Sequence, residues 1–156
     1  EPSIPFPQSD SFERVINLCE LLNENSLLNR EDLTDNYDFN VRQTNYYTDA
    51  GRYLGLIDKS RENGEVSYFL SEKGQNLFGL SIIERQLKLI ELILSHFVFN
   101  KVLKLYFKKA EAPNSHEIVQ LMKESNLYNI NSDITFYRRS STILSWINWV
   151  LEQVEE

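Results

Sequence analysis

Val41-Arg42-Gln43-Thr44-Asn45-Tyr46-Tyr47-Thr48-Asp49-Ala50-Gly51-Arg52-Tyr53-Leu54, then Gly55-Leu56-Ile57, then Val66-Ser67-Tyr68-Phe69-Leu70 after a polar interval, is the stretch that decides the fold. Residues 41–54 read as a helix opened by Asn40, a favoured N-cap, and closed at Gly55, which takes a left-handed conformation at little cost. Tyr46, Ala50, Tyr53 and Leu54 are expected to face inward, and Arg42, Gln43, Asn45, Asp49 and Arg52 outward. Leu56–Asp58 and Val66–Leu70, on either side of the glycine-bearing interval Lys59–Glu65, read as a β-hairpin. Upstream, Ser11 can cap a helix whose apolar residues Phe12, Val15, Ile16, Cys19 and Leu22 follow helical spacing. A shorter helix fits Arg30–Asn36, with Asn29 as its cap.

Three helices followed by a two-stranded wing describe a winged helix-turn-helix. Beyond the hairpin, Leu70-Ser71-Glu72-Lys73-Gly74 leads into another helix, and the rest of the chain reads as helical. Ile83, Leu87, Ile90, Leu94 and Phe97 form a stripe expected on one long helix, roughly Ser81–Phe99. Lys101–Lys109 reads as a further helix, Ser115 as the cap of His116–Ser125, and Ser132 as the cap of a last helix from Asp133 to about Gln153. Residues 1–10 hold three of the four prolines and read as an extended arm. A weak internal repeat relates the halves: Arg42 stands four, eight and eleven positions before Tyr46, Ala50 and Tyr53, as Arg138 does before Thr142, Trp146 and Trp149. The expected architecture is mainly α: a tandem winged helix-turn-helix with a small β-hairpin wing. Residues 11–80 form the first module, and 81–156 a helical, winged-helix-like second one.

In such a fold the third helix enters the major groove of DNA. Arg42 suits the acceptor pair of guanine, Gln43 the edge of adenine and Thr44 a phosphate, with Asn45 and Arg52 on the same side. The same residues also describe an ordinary solvated helix face. Lys59 and Arg61 in the hairpin turn can reach a phosphate, although Asp58, Glu62 and Glu65 beside them favour a solubilising turn. Lys101, Lys104 and Lys108, with Lys109 adjacent, share a helical face without an intervening acid. They read either as phosphate contacts that displace counterions or as snorkelling lysines. Arg138, Arg139, Ser140, Ser141 and Thr142 suit phosphate and base-edge contacts, while Trp146 and Trp149 read as the core side of that helix.

The 156 residues are 42% hydrophobic and 12% aromatic, enough to build a core and to exclude disorder. There is no uninterrupted apolar run of about 18 residues, so a membrane-spanning helix is not expected. The opening Glu1-Pro2-Ser3-Ile4-Pro5-Phe6-Pro7 lacks a signal pattern and reads as a boundary within a larger parent protein or a processed end. A single cysteine, Cys19, excludes an internal disulfide and a Cys-based zinc site, and a reducing cytoplasm is the economical home. The position of Cys19 on an apolar stripe disfavours a nucleophile. His96 and His116 lack a second ligand at metal-binding spacing, and five glycines supply no phosphate loop. Asp-x-Lys and Glu-x-Lys do not occur, so half of a common nuclease site is missing. Neither catalysis nor a cofactor is expected. The net charge of −7 excludes a uniformly basic surface. Residues 1–80 carry 14 acids against 7 bases and residues 81–156 carry 9 of each, so the deficit lies wholly in the first half.

The order Arg42-Gln43, Tyr46-Tyr47, Tyr53-Leu54-Gly55-Leu56-Ile57, Tyr68-Phe69-Leu70-Ser71 and Gly74 resembles winged-helix modules attached to bacterial restriction–modification enzymes and related DNA-processing proteins. In those modules a paired-tyrosine recognition helix precedes a Leu-Gly-Leu-Ile strand, a wing and a Leu-Thr/Ser-x-x-Gly exit. Arg139, Thr142 and Trp146 likewise resemble the Arg-x-x-Thr-x-x-x-Trp ending found in the same proteins. The matched segments cover about half the chain. The resemblance implies tandem winged helices that recognise DNA for a catalytic domain elsewhere. It assigns base or backbone contacts to Arg42, Gln43, Asn45, Arg138, Arg139, Ser141 and Thr142. The expectation is therefore a non-catalytic, double-stranded DNA-binding target-recognition module of a restriction-type or DNA-processing protein. It would be bacterial and cytoplasmic, with Arg52, Lys101, Lys104 and Lys108 adding charge and a catalytic domain or homodimer partner beside it. The alternative is a protein-interaction or dimerisation module of a transcription regulator or larger complex, using the apolar helix at 81–99.

Overall fold

Serine and asparagine caps decide where this chain turns helical. In the computed structural model, which describes residues 1–155, Ser11 accepts from the Arg14 N–H to open α1 (Phe12–Glu24). Asn29 and Asn40 each form a reciprocal capping box, with Asp32 and Gln43, to open α2 (Arg30–Asn36) and α3 (Val41–Tyr53). Such caps satisfy N–H groups that have no partner inside the helix, each contributing about 1 kcal/mol. The end of α3 is a Schellman turn: Gly55 sits at φ +77°, its N–H donates to the Arg52 carbonyl, and the Leu56 N–H donates to the Gly51 carbonyl.

The sheet contains one strand that the sequence pattern did not announce. β1 (Leu28–Asn29) lies between α1 and α2 and pairs antiparallel with β3 (Glu65–Leu70), as Leu28 with Tyr68 and Asn29 with Ser67. β2 (Ile57–Glu62) pairs with the other edge of β3, giving the order β1-β3-β2. The hairpin turn is tighter than the interval Lys59–Glu65 expected from sequence. Only Asn63 and Gly64 form it, both at positive φ (52° and 79°), as a two-residue primed turn requires. Lys59 and Arg61 therefore stand along a strand, not at a loop tip. Gly51 lets α3 close onto β2, since a Cβ there would lie 2.2 Å from Ile57 Cδ1.

After α4 (Glu72–Phe78) come α5 (Ile82–Leu94), α6 (Phe97–Lys109), α7 (Ser115–Lys123) and α8 (Asp133–Val154), with no strand among described residues 81–155. The single helix expected over 81–99 is two, broken at Ser95-His96. Ser95 Oγ donates to the Leu92 carbonyl and Asn100 Nδ2 to the Leu94 carbonyl, so side chains satisfy the end of α5. The break reorients α6, burying Val98 and Phe99. The expected stripe is consequently not the buried face of α5. Leu89, Leu92 and Ile93 are buried, whereas Ile83 and Leu87 are 76% and 56% exposed. α7 is capped by Asn114, one residue before the expected Ser115, through a capping box with Glu117.

One hydrophobic core runs through both halves. Phe99 of α6 stacks on Trp146 of α8 at 5.2 Å, and Phe12 of α1 meets the same indole edge-on at 5.0 Å. Arm residue Phe6 lies 5.2 Å from Tyr53 of α3 and 5.9 Å from Phe99, and it is 2% exposed. Burying a side chain of that size contributes about 1.5–3 kcal/mol, so the arm over residues 1–10 is part of the core and not a loose tail.

Candidate nucleic-acid interface

The arm sets the spacing of α3 and α8. Ser9 is fully buried: its N–H donates to Thr142 Oγ1 (2.9 Å), its Oγ to the Tyr46 carbonyl (2.8 Å), and its carbonyl accepts from Trp146 Nε1 (2.8 Å). One residue thus fixes both helices, and a groove of about 520 Å³ opens over it. Gln43, Tyr46 and Tyr47 of α3 form one wall, Tyr137, Arg138 and Ser141 of α8 form the other, and Gln8 and Asp10 form the floor. Residues 43 and 138, singled out separately in the sequence, face the same opening.

The anticipated contact residues on α3 and α8 differ in what they have left to offer, and of them Gln43, Arg138 and Ser141 line the groove. Arg42 and Arg138 are exposed, and neither makes an ion pair among the described residues. Gln43 is half-committed, because its side-chain oxygen accepts from the Asn40 N–H in the capping box. A bidentate contact to adenine would have to use the remaining lone pair of that oxygen together with the side-chain NH2. Ser141 is exposed and donates to Asp10, 3.0 Å from Oδ1. Arg139 is half-buried, with Nε and Nη1 lacking hydrogen-bond partners. Burial holds its guanidinium below the usual arginine range, opposed by the charges of nearby Tyr46 and Asp49. It still carries its charge at neutral pH.

Three expected contacts have partners within the protein. Thr142 is buried, accepting from Ser9 N–H and donating to Asp10 Oδ1 at 2.9 Å, so its hydroxyl belongs to the arm. Thr44 is 1% exposed and pairs with Thr34 Oγ1 at 2.8 Å, out of reach of a phosphate. Arg52 ion-pairs with Asp49 at 3.0 Å and lines a separate hollow with Pro2, Ile4 and Lys59. Asn45 is half-buried, and its Oδ1 is buried without a partner. Of the paired tyrosines on α3 the inward one is Tyr47, 8% exposed, whereas Tyr46 is half-buried and forms part of the groove.

Lys101, Lys104 and Lys108 are exposed on α6 and do not line the groove. Lys101 lies 5.3 Å from the Phe97 ring centroid, while Lys109 is tied to Glu117 at 2.5 Å. Cys19 is fully buried, which pushes its thiol pKa up. His96 stacks on Tyr53 at 4.2 Å, and His116 Nδ1 lies 3.1 Å from the Tyr137 hydroxyl. Among the described residues no group of three His, Cys, Asp or Glu is placed to hold a metal ion. Among them, too, no helix is long and apolar enough to cross a membrane. Sequence reasoning missed Ser9, Asp10 and Tyr137. Tyr137 stood one position outside the Arg–Ser run, while Ser9 and Asp10 lie in a proline-rich arm with no periodic signal.

The chain belongs to a family described as a domain of unknown function (DUF7226), whose model matches residues 14–155. The match begins inside α1 and extends through α8. No curated protein and no solved structure gives a significant match.

Proposed function

We propose that this chain is a non-catalytic module that binds double-stranded DNA across the α3–α8 groove, as a target-recognition part of a restriction-type or DNA-processing protein. The observation that carries the reading is the convergence of Gln43 and Tyr46 with Arg138 and Ser141 on one open groove, although the two segments lie far apart in sequence. The order α1-β1-α2-α3-β2-β3, with β3 central, supports a winged helix over residues 11–80. In the proposal α8 is the companion reading helix, and 81–156 is a second module without its own wing. Unpaired Arg42 and Arg138 supply local positive charge within an acidic chain. Lys101, Lys104 and Lys108, exposed on α6, add phosphate contacts in a cytoplasmic setting.

Arg138→Ala tests this directly. Loss of one bidentate arginine contact should weaken duplex binding by about 1–3 kcal/mol in fluorescence anisotropy. Unchanged affinity removes α8 from the interface. The single variant is cleaner than a joint replacement of Arg138 and Arg139, because Arg139 is half-buried against α3.

A second reading has its own support. Ile82, Ile83 and Leu87 are 68%, 76% and 56% exposed on α5, a contiguous apolar face of the kind that marks protein contacts. A module for protein interaction or dimerisation, in a transcription regulator or larger complex, would cover it. A light-scattering mass of two chains, lost in Ile83→Asp, favours that reading. A monomeric mass counts against dimerisation.

A further inference from the structure

Asp10 stands on the floor of the groove, is exposed, and points its carboxylate at α8. Its Oδ1 accepts from Ser141 Oγ (3.0 Å) and from Thr142 Oγ1 (2.9 Å), and its Oδ2 lies 3.2 Å from Ser141 Oγ. Thr142 has one hydroxyl proton and already accepts from Ser9, so that proton is committed to Asp10. Ser141 is less bound, since its hydroxyl also lies 2.9 Å from the Arg138 carbonyl. Arg138 lines the same hollow. A carboxylate held by hydroxyl donors in a groove that Arg138 also lines occupies the setting that an oxyanion of nucleic-acid backbone would use, because phosphates on DNA are bound by Ser, Thr and Arg side chains.

We infer that Ser141, with Arg138 beside it, is a phosphate-binding position that Asp10 fills while the protein is free, making Asp10 the residue that limits how tightly the groove holds DNA. The inference rests on the DNA-binding reading and adds to it a named subsite and an internal competitor. A phosphate arriving at the groove meets a fixed negative charge and must displace it. A duplex making several other contacts can do so, whereas an isolated anion gains too little. Neutralising residue 10 removes both the competitor and the repulsion and leaves Ser141 free to donate. Thr142 holds Asp10 from the buried side and acts as a positioning residue.

The experiment is equilibrium binding of a random-sequence duplex to wild type, Asp10→Asn, Ser141→Ala and the double variant, with Glu84→Gln on α5 as a charge control outside the groove. Asn at position 10 keeps the size and the acceptor oxygen; if that variant does not melt cooperatively, Asp10→Ala replaces it. The expected result is that Asp10→Asn binds about tenfold tighter, the scale of a hydrogen bond to a charged group. Ser141→Ala should abolish most of that gain in the Asp10→Asn background. Tightening that Ser141→Ala leaves intact, or that Glu84→Gln matches, reduces Asp10 to a distant charge and overturns the inference. Wild-type binding with no tightening in Asp10→Asn overturns it while leaving the DNA-binding reading standing. Absence of binding by every variant overturns both.

Discussion

Thr142→Val isolates the bond network that holds the arm against α8. Valine has nearly the shape of threonine, so the substitution opens no cavity at a position fully closed to solvent. It removes the hydroxyl that accepts from Ser9 N–H at 2.9 Å and leaves that donor buried without a partner. An unsatisfied buried N–H costs about 1–3 kcal/mol. The lost bond to Asp10 adds little, because that carboxylate is exposed and can turn to water. A destabilisation of about 2 kcal/mol follows, and a domain of this size loses roughly 2–4 °C in Tm for each kcal/mol. The Tm of the variant should therefore fall by about 4–8 °C, read by calorimetry and by urea titration monitored through tryptophan fluorescence. Trp146 reports directly, since its Nε1 donates to the Ser9 carbonyl. A variant melting within about 1 °C of wild type would refute the reasoning, because Ser9 would then have no need of Thr142.

Two further outcomes follow from the packing and the charges. Gly51→Ala should cost at least about 1–3 kcal/mol, since the new Cβ would overlap Ile57 Cδ1 and force β2 away from α3; chemical denaturation measures it. Lys109 beside Glu117, with the Asn114 N–H, holds the Glu117 carboxyl below its ordinary value of 4.5. A depressed carboxylate contributes stability above its unfolded-state value and loses it as pH falls through the folded one. The Lys109–Glu117 contribution should thus be complete at neutral pH and vanish in acid below the ordinary glutamate range. Lys109→Met should move the Glu117 titration upward in NMR; an unmoved titration would show that the pair does not form in solution.

The local grammar of the first half was legible because caps and turns are written in adjacent residues. Ser11, Asn29 and Asn40 announce their helices, and Gly55 announces the end of α3. What escaped depends on partners remote in sequence. β1 is two residues long and exists through its pairing with β3. The break at Ser95-His96 carries no glycine or proline, and it is stabilised by Asn100 reaching back to the Leu94 carbonyl. The polar arm gave no periodic signal, yet Ser9 joins the two walls of the groove. Of the candidate site, Gln43, Arg138 and Ser141 were named from residue type and helix position, and they meet in space. The buried bonds of Thr142 to Ser9 and Asp10 are not legible, because a hydroxyl that braces a core and one that binds a phosphate look the same in a sequence. Arg52 pairs with Asp49 one helical turn before it, a spacing that the sequence does carry.

If the α3–α8 groove takes the backbone of duplex DNA, its affinity must fall with salt. Anisotropy of a labelled random-sequence duplex, measured from about 50 to 200 mM salt, gives a slope near −0.9 for each phosphate neutralised. With Arg42 and Arg138 exposed and unpaired among the described residues, and Lys101, Lys104 and Lys108 exposed on α6, a slope of about −2 to −4 is expected, made shallower by about one in Arg138→Ala. Binding that ignores salt, a slope that Arg138→Ala leaves unchanged, or no binding at the lowest salt would contradict it.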